Sequence, residues 1–196
     1  MGEWESSKKK DILEAARKLF WKYGFKRVTV EEICEEAVCS KMTFYKLFSN
    51  KLEVAKAVFD REVAKGRDEF RSVMESDLTP ADKISRIFKM KHEGTNDISS
   101  EFLNDFYKNP NLGLREYIEQ TSHDVWKEMI SDLRKAQEKG IIRKEFRPEL
   151  IWYLSQKMMD MINDQNLRKM YSNPQEMLLD LTGFFLYGML PPEVKK

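Results

Sequence analysis

The 196-residue chain is 41% apolar and 34% charged, with only 8 Gly and 6 Pro, a composition that fits one fair-sized globular domain, or two small ones, with few turns. Its net charge of +1 is unevenly spread: residues 1–51 hold 11 Lys/Arg against 8 Asp/Glu (+3) and the remainder 23 against 25 (−2), which permits a basic N-terminal face without requiring one. No run reaches the roughly 18 apolar residues of a membrane span, and MGEWESSKKKD lacks the apolar stretch of a secretory leader, so no membrane association and a cytoplasmic location are expected.

Helical spacing runs through almost the whole chain, and no alternating β-branched run competes with it. Ile12, Ala16, Leu19, Phe20 and Tyr23 form one stripe of a first helix from about Ser7, ended by Gly24. Thr29 stands three residues before Glu32, the capping-box spacing, and opens a short helix to Ala37. After a break at Val38-Cys39, Ser40 caps a third helix, Lys41 to Phe48. Ser49-Asn50 then caps a long fourth helix reaching about Met74. Further helices are predicted over 80–91, 99–107, 114–138, 148–166 and 174–190, the last two, like the first, opening on a Pro. That makes about nine helices and an all-α fold.

Residues 12–51 carry the functional signal. A scaffold helix leads through a Gly-containing turn to two short helices separated by a tight turn, the arrangement of a helix-turn-helix. Phe44 and Phe48, four apart, supply a buried stripe. Lys41, Thr43, Tyr45 and Lys46 supply a polar face able to reach phosphates or base edges. Thr29 would bring free backbone N–H groups toward a phosphate, and Lys51 an ammonium.

Cys34 and Cys39 cannot complete a tetrahedral zinc site, because His92 and His123 lie far off in sequence. A C-x4-C pair is not a redox motif either, so both read as small buried hydrophobes in a reducing compartment. No metal and no cofactor are expected. Gly-rich phosphate loops and G-x-S-x-G are missing, so an enzyme is not expected.

The runs Thr29-Val30-Glu31-Glu32-Ile33 and Ala37 to Lys51, with Ala15-Ala16, Leu19-Phe20 and Tyr23-Gly24-Phe25 upstream, resemble the DNA-binding signature of the tetracycline-repressor (TetR) family. Beyond residue 55 the likeness rests on helix count, length and the Glu138–Arg143 turn. The resemblance implies a helix-turn-helix domain over 1–50 (reading motif 29–48) and an effector-binding and dimerisation domain over 51–196. It assigns phosphate contacts to Thr29, Ser40, Lys41, Tyr45 and Lys51, and base-edge contacts to Met42, Thr43 and Lys46. Three positions depart from the family pattern: Val38 and Met42 replace Gly, and Leu47 replaces an aromatic or His. Val38 implies a strained turn, and Met42 could touch a thymine methyl.

In the last two predicted helices, Leu150, Leu154, Met158 and Met161, and Leu178, Leu181 and Phe185, repeat at helical steps. The resemblance pairs these helices with a second copy across a two-fold axis, as a palindromic operator requires. Trp152, Tyr153, Leu186 and Tyr187 make both helices apolar on more than one side, which favours the homodimer over a monomer core. Phe70, Phe88, Phe102, Phe106, Tyr117, Trp126, Met129 and Met159 could wall a cavity for a small apolar effector, although a plain core uses the same residue types. The functional expectation is a ligand-responsive transcriptional regulator, a repressor on double-stranded operator DNA. The alternative is a helical protein-binding adaptor that binds DNA weakly and without sequence preference.

Overall fold

A computed structural model describes the backbone of residues 3–109, 112–162 and 164–191. Among them there are ten helices and no strand: α1 (Glu3–Tyr23), α2 (Val30–Glu36), α3 (Lys41–Leu47), α4 (Lys51–Glu75), α5 (Pro80–Gly94), α6 (Ser100–Tyr107), α7 (Leu114–Glu138), α8 (Glu149–Ile162), α9 (Gln165–Arg168) and α10 (Pro174–Gly188). The fold is all-α, as expected. The tenth helix arises because the predicted 148–166 helix divides. Asp164 accepts hydrogen bonds from the Asn166 and Leu167 N–H groups and caps the separate turn α9.

Two compact units form, one from residues up to Ala64 with Asp97–Gln120, the other from Lys65–Asn96 with Thr121 onward. The chain passes from one unit to the other inside α4, between α5 and α6, and inside α7.

In the first unit, the apolar stripe of α1 (Ile12, Ala16, Phe20) is fully buried. Its aromatic end meets α6: Trp21 lies 4.2 Å from Phe102 and Phe102 4.3 Å from Phe106, centroid to centroid, and Phe106 also approaches Phe20 and Phe25. Gly24 ends α1 at φ 78°, and a Cβ there would lie 2.8 Å from Asp105 Oδ2 and 3.0 Å from Glu101 Cβ. Both the left-handed backbone and the close approach of α6 require glycine. Asp105, itself buried, accepts the Lys26 N–H at 2.8 Å. It thereby fixes the loop that leads into α2.

The core of the second unit gathers Phe70, Met74, Ile84, Leu133, Ala136, Ile141, Ile142, Leu186, Met189 and Leu190. Gly140, at φ 71°, ends α7 and turns Ile141-Ile142 inward. Lys83 is buried but donates to the carbonyls of Met74 (2.7 Å) and Ser76 (2.5 Å). Its charge thus satisfies the end of α4, which supplies carbonyls without intrahelical partners.

Candidate nucleic-acid interface

Two side-chain caps set the angle of α2 and α3. The Thr29 hydroxyl accepts from Glu32 N–H at 3.2 Å, and the Glu32 carboxylate accepts Thr29 N–H at 2.8 Å. This is the capping box anticipated from the spacing. At α3 the Ser40 hydroxyl accepts from Thr43 N–H at 3.0 Å. Phe44 in α3 and Phe48 at its C-cap are buried with their rings 6.0 Å apart. On the other side of the helix, Met42 is 84% and Tyr45 56% exposed. Lys41 and Lys46, also exposed, sit four residues from Tyr45 and Met42 respectively, so the four share one outward face. Thr43 is half-buried beside them.

Val38 holds φ 48° and is 82% exposed. The strain expected there is present: a β-branched residue occupies the left-handed region that glycine adopts without cost.

The cations of this face carry carboxylate partners. Lys41 pairs with Glu31, and Lys46 with Glu5 at 2.7 Å. The Lys41 hydrogen bond holds the Glu31 carboxyl below its ordinary value, and the Glu31 bond raises Lys41. Exposed pairs of this kind are weak and screened by salt, so a phosphate can exchange for either carboxylate. Neither pairing was anticipated, since 10 and 41 residues separate the partners in the chain and no local pattern links them.

Lys51 has a different post from the one expected. Its ammonium donates to the carbonyls of Phe25 (2.7 Å), Val28 (2.5 Å) and Lys26 (3.4 Å) and lies 4.4 Å above the Phe25 ring. Burial lowers its pKa, against the pull of Asp105 and Glu32. An ammonium has three donors, and here all three are directed at the α1–α2 loop. Lys51 thereby braces the loop that leads into α2.

The fold and this surface have known counterparts. Residues 12–58 match the family model described as bacterial regulatory proteins, tetR family. That match covers the segment from α1 into α4, about a quarter of the chain. It is 26% identical over 160 residues to the uncharacterized HTH-type transcriptional regulator YhgD of Bacillus subtilis, spanning 77% of this chain and 80% of that one. Among solved structures, the fatty acid degradation regulator FadR from Bacillus halodurans shares the fold with a TM-score of 0.66 at 20% identity, over 96% of both chains. FadR from Bacillus subtilis, solved with stearoyl-CoA, gives 0.61 at 16% identity, over 90% of this chain and 96% of that one. Both α2 and α3 lie within the segment matched by the family model.

Outside that motif, the residues expected to wall one cavity are dispersed. Phe102 and Phe106 are spent in the aromatic cluster of the first unit. Tyr117 belongs to that unit too, where its hydroxyl donates to Asp60 at 2.6 Å, its ring meets Phe59 edge-on and Lys56 lies over it. This is a polar setting, not an apolar wall. Phe70 is part of the second unit's core, Phe88 and Met129 pack against that core, and Trp126 is half-buried on α7. The Met159 side chain lies outside the described residues.

Of the expected dimer residues, Leu150 and Met161 are exposed, Leu154, Met158, Leu181 and Phe185 half-buried, and Leu178 buried. Leu178 is buried on α10, as are Met177 and Leu186. Phe184, 79% exposed, and Tyr187 are the exposed rings of α10, and Trp152 and Tyr153 are exposed on α8. Trp152, Tyr153 and Tyr187 had registered in the sequence only as surplus apolarity.

Proposed function

We propose that this chain is a regulator of the TetR family, a homodimeric repressor that binds a palindromic operator and is released by a small apolar effector. The observation that carries the reading is the two-sided character of α3. Phe44 and Phe48 anchor one side, and the other presents Lys41, Met42, Tyr45 and Lys46 to solvent. Lys41, Tyr45, Ser40 and Thr29 contact phosphate; Met42, Thr43 and Lys46 reach base edges, Met42 through its apolar end. Lys51 acts through the loop it braces. Such a surface fits a major groove, and two copies on a two-fold axis read half-sites about 34 Å apart.

The second copy is recruited through α8 and α10, where Trp152, Tyr153, Phe184 and Tyr187 leave large apolar area in water; buried aromatic residues of this kind dominate protein interfaces. The effector reading is supported by the stearoyl-CoA complex of the Bacillus subtilis FadR and by the partly buried Phe88, Trp126 and Met129 of the second unit. The regulator works in the cytoplasm, a reading in keeping with the lack of any helix long and apolar enough to cross a membrane among the described residues.

The decisive experiment is selection from a randomised duplex pool, followed by a salt titration of the winning sequence. Enrichment of one palindrome, with affinity falling steeply and log-linearly in salt, is the expected result. Binding that ignores sequence would overturn the reading. A thermal-shift series with acyl-CoA thioesters then tests the effector: a native-state ligand raises the melting temperature with concentration, and a flat response across chain lengths removes that class.

A further inference from the structure

The turn between α2 and α3 brings together two side chains that their spacing left unconnected. Val38 N–H donates to the Glu35 carbonyl at 3.2 Å and Cys39 N–H to the Cys34 carbonyl at 2.9 Å, with Val38 left-handed between them. These are the 5→2 and 6→1 bonds of a Schellman helix end. Side chains at the two ends of the 6→1 bond face each other in that motif, normally as a hydrophobic contact. Here both are cysteines. The hydrogen bond keeps their α-carbons within about 7 Å, the limit beyond which no disulfide can close. Both thiols are free, Cys34 buried and Cys39 half-buried. Burial, with the neighbouring Cys39 adding to it, pushes the Cys34 thiol up to about 11, so Cys34 stays protonated at neutral pH. Cys39 is the sulfur that solvent reaches first.

We propose that Cys34 and Cys39 form a reversible dithiol site for hydroperoxides, in which oxidation closes a disulfide across the α2–α3 turn. The Cys39 thiolate attacks a peroxide oxygen and the O–O bond breaks. Cys39 becomes a sulfenic acid, and the departing hydroxide takes a proton to leave as water when the oxidant is hydrogen peroxide. The Cys34 sulfur then attacks Cys39 sulfur, the S–O bond breaks as the S–S bond forms, and the expelled hydroxide takes the Cys34 proton as a second water. Two electrons pass from the thiol pair to the peroxide. A disulfide imposes a Cβ separation near 3.8 Å and a dihedral near 90° on Cys39, which directly precedes the Ser40 cap of α3. The setting of the outward face of α3 thereby becomes sensitive to oxidation. The site stands apart from the DNA-binding reading, since its readouts are chemical.

The test is a hydrogen peroxide titration of the intact protein, followed by alkylation of the remaining thiols and peptide mass spectrometry. Loss of both thiols together, an intrachain Cys34–Cys39 bridge, and recovery with dithiothreitol are expected. Cys34→Ser should stop at a dimedone-trappable sulfenic acid on Cys39, and Cys39→Ser should leave Cys34 unoxidised over the same titration. Cys34→Ala, which buries no hydroxyl, repeats the first result should the serine variant misfold. Amide exchange over Cys39 to Thr43 should slow on oxidation and return on reduction. Independent loss of the two thiols, or bridges only between chains, would overturn the site. Unchanged exchange in the bridged protein would overturn its link to α3.

Discussion

Two surfaces of this molecule expose large apolar side chains, and they are built differently. On α3, Met42 stands among Lys41, Tyr45 and Lys46, with Val38 exposed in the turn before it. Along α8 and α10 the exposed side chains include Trp152, Tyr153, Phe184 and Tyr187, so the surface is rich in rings. Methyl and thioether groups set among cations suit a polyanion whose bases carry methyl groups. Bare aromatic rings gain most when another protein surface dries them. The contrast teaches that exposed hydrophobicity takes its meaning from the charges around it.

The comparison is broken most forcefully from inside. Phe44→Ala empties a fully buried site behind α3 and should cost about 3–5 kcal/mol, measured by chemical denaturation. A loss near zero would mean α3 is not anchored by its phenylalanines. Phe184→Asp should weaken self-association by about 2 kcal/mol or more, seen by analytical ultracentrifugation, while the monomer keeps its helical signal. An unchanged sedimentation profile would remove the α10 face as the interface.

Lys51→Met should lower stability by about 1–2 kcal/mol, because carbonyls of the α1–α2 loop lose their donor. The slope of DNA affinity against salt should stay the same. Lys41→Ala should do the reverse, reducing that slope by about one with little change in the melting temperature. Equal slopes for both variants would return Lys51 to the DNA surface.

The smallest effect lies in the second unit. Burial pushes the Asp132 carboxyl up, but hydrogen bonds from Arg71 (2.7 Å) and Lys135 (3.3 Å) outweigh it and hold the carboxyl below its ordinary value. A lowered folded-state value stabilises the protein above the ordinary carboxylate range, and that contribution is lost as pH falls through the folded value. Asp132→Asn should therefore flatten the acid side of the stability profile slightly. An identical profile would show that the group is not coupled to folding.

The helix-turn-helix was legible because its determinants are local. Thr29 and Glu32, Ser40 and Thr43, Gly24, and the Phe44–Phe48 stripe all act within a few residues of one another, and each took the place its spacing implied. The burial of Leu178 beside the exposure of Phe184, and the diversion of Phe102 and Phe106 into an aromatic core, were not legible. A helical stripe specifies that a side is apolar, not what will cover it.

From the order of residues alone follow an all-α chain, the bounds of most helices and the outward face of α3, because capping and periodicity are short-range physics. Tertiary structure alone decided that Lys51 serves the carbonyls of the α1–α2 loop, that Lys41 and Lys46 meet Glu31 and Glu5, and that Cys34 faces Cys39. Each of these depends on the path of the backbone through a turn, and hydrogen bonds and ion pairs form between whatever groups that path brings within reach.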